Sequence, residues 1–140
     1  MRHFVPAAGN RILLTAFFAV ALTIFGNGSA GAAGLTLSGP AQVTTTGNHT
    51  YYANLHAFYQ SYRWYTRYCP TTSLTTCASS WALSRSASVE SGYDSYTRYL
   101  TRDCTGGGTK SFQVRVTASG FNTPAETRQM ATRLCPILEQ

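Results

Sequence analysis

The sequence predicts an all-β chain: an antiparallel β-sandwich of seven or eight strands with two disulfides, preceded by a helical signal peptide. Three observations predict it. From Leu35 onward, turn signals recur about every eight to twelve residues. The runs between them alternate apolar and polar side chains, the period of a strand with one buried face. Four cysteines, Cys69, Cys77, Cys104 and Cys135, follow an apolar N-terminal run, and an even count behind an export signal reads as two disulfides.

The N-terminus has the order of a secretory signal. Arg2, His3 and Arg11 form a basic start, and Ile12 to Phe25 is an uncharged apolar run of fourteen residues. Small residues follow from Gly26 to Gly34. Ala30-Gly31-Ala32 fits the small-x-small cleavage pattern with a cut before Ala33; a cut after Ala30 is the alternative. Fourteen residues fall short of the roughly twenty that a membrane-spanning helix needs. Residues 1–32 are therefore expected to be removed, leaving one domain over 33–140 with no membrane span. No cysteine lies near the cleavage region to carry a lipid anchor. Without Arg2 and Arg11, nine basic residues against five acidic ones leave a charge of +4. That excess permits acidic partners without demanding them, and is too mild for a nucleic-acid binder.

Taken in order, Leu35-Thr36-Leu37 stops at Ser38-Gly39-Pro40, and Gln42 to Thr46 resumes, so the first strand is expected to be split. His49 to Leu55 follows, with Tyr51, Ala53 and Leu55 inward. Tyr59 to Cys69 is a strand with two unlike faces. Tyr62, Trp64, Thr66 and Tyr68 share one, where Trp64 marks the core; Arg63, Tyr65 and Arg67 share the other. Pro70 to Thr76 is a Thr-rich loop between Cys69 and Cys77, simply read as closed by a local bridge. Trp81 to Ser84 is a short β-prone piece, and Ser84 to Asp94 an edge strand with turns. Tyr96 to Arg102 is a strand ending at Asp103-Cys104. Gly106-Gly107-Gly108 makes a turn that tolerates positive φ. Lys110 to Ala118 alternates strictly, with Phe112, Val114 and Val116 inward and Gln113, Arg115 and Thr117 outward. Ala125 to Leu134 reads as the last strand; a short helix is the other option. The tyrosines at 51, 52, 59, 62, 68, 93, 96 and 99 are expected in the core and in cross-strand pairs.

Ser38-Gly39-Pro40 with Val43 and Gly47, then Thr50 to Ala53, Tyr62-Arg63-Trp64 and Phe112 to Thr117, resembles bacterial immunoglobulin-like and PKD-like domains across nearly the whole segment 33–140. The resemblance implies an Ig-like sandwich and a role as an adhesion module, a spacer or a ligand-binding domain, without catalysis. The acidic loop that follows the Trp strand in that family is missing, so no calcium site carries over. The Ig-like strand order places the ends of the third, fifth and last strands at one pole. It favours Cys69–Cys77 with Cys104–Cys135 over Cys69–Cys104 with Cys77–Cys135. It also makes the third, sixth and last strands neighbours. Arg63, Tyr65, Arg67, Gln113, Arg115, Gln129 and Arg133 then share one outward face: a candidate binding face for an anionic glycan or an acidic protein surface. A merely solubilising face, with Arg stems packed over Tyr, is the plainer alternative.

No catalytic constellation and no cofactor motif is present. His49 and His56 read as solvated loop positions. Glu90 and Asp94 share one loop and read as turn caps rather than a cation site. Asp103 is expected to accept backbone hydrogen bonds at its turn. The cysteine spacings of 8, 27 and 31 residues, with no Cys-x-x-Cys pair, do not suit zinc. The glycine run lacks the Lys-Ser/Thr of a P-loop. Asn48-His49-Thr50 matches a glycosylation sequon, to which a bacterial family gives little weight. Two further readings stay open: a structural module assembling through an edge strand, and a small secreted inhibitor using the Thr-rich loop.

Overall fold

The computed structural model describes residues 34–54, 59–88, 92–120 and 123–138. The expected signal peptide, and the expectations for Leu55, His56 and Glu90, lie outside the described residues. Seven strands form: β1 (Thr36–Ser38), β2 (Gly47–Asn54), β3 (Ser61–Cys69), β4 (Ala82–Ser88), β5 (Tyr93–Leu100), β6 (Ser111–Gly120) and β7 (Thr123–Arg133). They make two sheets, one ordered β1-β2-β5 and the other β4-β3-β6-β7. Every named pair is antiparallel.

The expected split in the first strand is real, and its halves serve different sheets. β1 pairs with β2, whereas Gln42 makes a parallel bridge to Arg133 at the end of β7. Val43 N donates to Arg133 O at 2.8 Å, and Arg133 N donates to Ala41 O at 2.9 Å. Gly39 and Pro40 make the crossing. A Cβ on Gly39 would collide with the ring of Tyr51, so only glycine lets the backbone pass this close.

The alternation in the sequence decides which side chains meet between the sheets. Tyr51 and Ala53 of β2, Tyr62 and Trp64 of β3, and Phe112, Val114, Val116 and Ala118 of β6 are all buried in one cluster. Trp64 stacks on Tyr96 of the opposite sheet, with ring centroids 5.6 Å apart. Burying a ring system of this size contributes roughly 4–6 kcal/mol as an upper figure. Two polar ties cross the core. The Trp64 indole N–H donates to Asp94 Oδ2 at 2.6 Å, and Tyr51 Oη lies 2.7 Å from Thr132 Oγ1. Burial pushes the Tyr51 phenol up to about 12. The Thr132 tie is why β7 can carry a threonine inward between Met130 and Leu134.

Two boundaries differ from the expectation. Asp94 is not in a loop: β5 starts at Tyr93, because the Asp94 carboxylate is held by Trp64 and by Arg85 Nη2 at 2.6 Å. A tertiary contact here overrides the low strand preference of aspartate. His49 is half-buried within β2 rather than in a loop, with Nε2 3.0 Å from Thr45 O. Of the tyrosines expected in the core and in cross-strand pairs, Tyr52, Tyr68, Tyr93 and Tyr99 are 41–60% exposed, with Tyr52 stacked on Tyr93 and Tyr68 packed against Phe112 across strands.

Candidate binding face

The register of β3, β6 and β7 brings the expected residues onto the outer face of the four-stranded sheet. Tyr65 lies opposite Arg115, and Arg115 opposite Gln129; Arg67 lies opposite Gln113. Their use is not what the sequence suggested, because the loop after Cys69 folds back over half of this face. The Cys69–Cys77 bridge, with Cα atoms 5.7 Å apart, turns the loop toward the sheet. Ser111 Oγ then donates to Thr71 O at 2.6 Å, and Gln113 Nε2 donates to Ser73 O at 2.8 Å.

Gln113 is therefore withdrawn from the candidate face: it points outward from the sheet but is fully buried under this roof. Arg67 is also committed. It donates to Gln113 Oε1 at 2.8 Å, Leu74 O at 2.7 Å and Ser79 O at 3.0 Å. Its guanidinium lies 4.1 Å over the ring of Trp81. Burial, then the like charge of Arg115, lowers its pKa from the ordinary value. Arg133 is drawn aside by the carbonyl of Gly108, at 3.2 Å.

The open half holds Arg63, Tyr65, Arg115 and Gln129. The Arg115 guanidinium lies 4.7 Å from both the Tyr65 and the Trp81 ring centroids. Cation–π contact of this kind is worth about 0.5–2 kcal/mol per pair. Its Nε is buried without a hydrogen-bond partner among the described residues. Trp81 is the member that sequence reasoning missed. Its one available signal is position: an aromatic residue between a bridged loop and an edge strand that borders an Arg-rich strand.

The described acids are all engaged elsewhere. Asp94 binds Arg85, Asp103 binds Lys110 at 2.8 Å, and Glu126 accepts Leu35 N at 2.7 Å with Arg128 at 3.7 Å. The bonds from Lys110 and then Thr105 hold the Asp103 carboxyl well below the usual range, and the Leu35 amide is the first cause of a lowered Glu126. Asp103 Oδ1 also accepts Thr105 N at 2.9 Å, the turn bond expected of it. Thus no described carboxylate neutralises Arg63 or Arg115.

The other notable concavity lies at the cysteine pole. Cys104 and Cys135 are bridged with Cα atoms 4.8 Å apart, tying the exit of β5 to the exit of β7. Gly106, Gly107 and Gly108 turn between them at φ 69°, 88° and 69°. A cleft of about 570 Å³ opens there, lined by Tyr68, Pro70, Thr101, Arg102, the Asp103–Lys110 pair and Leu134. Among the described residues no group of three or more His, Cys, Asp or Glu gathers as a metal site, and no helix is long and apolar enough to cross a membrane. Two disulfides suit an oxidising, extracellular or periplasmic setting.

Against protein-family models, curated proteins and solved structures, the chain has no match.

Proposed function

We propose that this chain is an exported, non-enzymatic Ig-like module that binds an anionic glycan or an acidic protein surface at the cell envelope or outside the cell. The Ig-like reading is supported by the sheet orders β1-β2-β5 and β4-β3-β6-β7, the split first strand and the Trp on β3. One observation carries the binding reading. Arg63 and Arg115 flank Tyr65 on an open half-face, and every described carboxylate is paired elsewhere. Arg115, held against the rings of Tyr65 and Trp81, is ordered before any ligand arrives, which reduces the entropy cost of binding.

The test is binding to a sulfated polysaccharide such as dextran sulfate. The double variant Arg63→Ala/Arg115→Ala is expected to bind about ten-fold more weakly or worse, and wild-type affinity is expected to fall as salt rises. Unchanged affinity in the double variant would sink the reading. The alternative of assembly through an edge strand has less support. Arg85 of β4 donates to the Ser95 carbonyl on the outer edge of β5, covering part of the edge that a second chain would need.

A further inference from the structure

The outer face of the three-stranded sheet carries no charge. Residues 36 and 38 of β1, 48, 50, 52 and 54 of β2, and 93, 95, 97 and 99 of β5 alternate away from the core. Tyr52, Tyr93 and Tyr99 stand on it with Asn48 and Asn54, and every other position is Ser or Thr. Lys, Arg, Asp and Glu make up 11% of the whole chain, and this face has none.

Its aromatic residues are open rather than packed away. Tyr52 is 41%, Tyr93 46% and Tyr99 60% exposed. Tyr52 and Tyr93 stack with each other, with centroids 5.9 Å apart and planes 27° apart, which holds the rings on the sheet. Tyr99 stands six residues from Tyr93, so the aromatic ends of the face are about 20 Å apart along β5. Between them, Thr50 and Thr97 join hydroxyls at 2.8 Å across the strand pair.

We infer that this face is a second binding surface, and that its ligand is an uncharged polysaccharide chain. Charge complementarity makes the choice. An acidic or basic partner finds no counter-charge here, and an apolar partner would strand hydroxyls and amides without hydrogen bonds. A neutral sugar chain matches both halves of the surface. The C–H face of a pyranose ring is apolar with weakly positive hydrogens, and it meets the negative face of a Tyr ring. The sugar hydroxyls meet Asn, Ser, Thr and the phenol groups. Tyr with Ser and Asn gives rigid contact area and adaptable hydrogen bonding at low entropy cost. The paired strands β2 and β5 offer a length of eight residues along which an extended chain can lie.

The surface is separate from the Arg63–Tyr65–Arg115 half-face, which lies on the other sheet, so the two stand or fall independently. Affinity electrophoresis in native gels containing hydroxyethyl cellulose, a galactomannan or dextran tests it. At least one of these is expected to retard the wild-type protein, with little change between about 0.05 and 0.5 M salt, where charge attraction is strongly screened. Tyr52→Ala and Tyr99→Ala are each expected to lose most of that retardation while binding dextran sulfate as wild type does. Tyr52→Phe keeps the ring and is expected to keep most of it. Thermal unfolding midpoints near the wild-type value would show that the Ala variants are folded. The inference is overturned if none of the three polymers retards the wild type, or if retardation survives in folded Tyr52→Ala and Tyr99→Ala. It is equally overturned if light scattering shows a dimer that these two substitutions dissolve, since the face would then belong to a second copy.

Discussion

Asp94 joins three strands through one oxygen. Its Oδ2 accepts the Trp64 indole of β3 and Arg85 of β4, each at 2.6 Å, while its backbone belongs to β5. The carboxylate side chain is only 16% exposed, so its bonds are poorly screened. Asp94→Ala leaves the buried indole N–H without an acceptor. It is expected to cost about 1.5–3 kcal/mol, the range for hydrogen bonds to a charged group. Urea unfolding checks it, and in a Trp64→Phe background the cost should shrink because the stranded donor is gone. Much at this scale was legible. Tyr51, Tyr62, Trp64, Phe112 and the valines of β6 lie inward as strict alternation requires. What alternation cannot show is a partner from another sheet. Asp94 looked like a turn residue because aspartate usually is one. Thr132 interrupts the inward positions Met130 and Leu134 of β7, and its partner, Tyr51, lies 81 residues away.

At the scale of elements, the Cys69–Cys77 loop does more than connect β3 to β4. It roofs the outer sheet through Arg67 and Gln113, two residues that alternation correctly placed outward. Facing away from the core is not the same as facing water where a loop returns over the sheet. Arg67→Ala removes the guanidinium that holds the Leu74 and Ser79 carbonyls and the Gln113 amide. Hydrogen exchange should read the consequence. Amides of residues 71–79 are expected to lose protection while those of β2 and β6 keep theirs. Equal loss everywhere would mean that Arg67 supports the whole sandwich rather than the roof. The candidate face was therefore legible in its membership by strand, and illegible in its cover. Trp81, which lies over two arginines, opens the β-prone piece Trp81 to Ser84 but sits just before β4, so alternation does not place it over this face.

For the whole molecule, the two bridges differ in weight. Cys69–Cys77 closes 8 residues in the loop that follows β3, whereas Cys104–Cys135 closes 31 and links the two sheets. In the chain-entropy description the second is worth about 3–4 kcal/mol and the first about 2–3 kcal/mol. Cys104→Ser/Cys135→Ser is therefore expected to lower stability more than Cys69→Ser/Cys77→Ser, as chemical unfolding of the two double variants would measure. The reverse order would show that the roof contributes more to the fold than the pole does. A chain of this length buries a modest core, so either loss is a large share of its stability.

The parallel bridge at Gln42 gives the domain a mechanical grain. Gln42 belongs to the early part of the described chain and Arg133 to its last strand, and the two run the same way side by side. A pull applied through the two ends slides these segments past each other. The Val43–Arg133 and Arg133–Ala41 bonds then carry the load together, in shear, instead of opening one after another like a zip. Beyond them the Cys104–Cys135 bridge shortens the length of chain that can be drawn out. A module held at one end and tugged at the other is thus braced along the line of the tug.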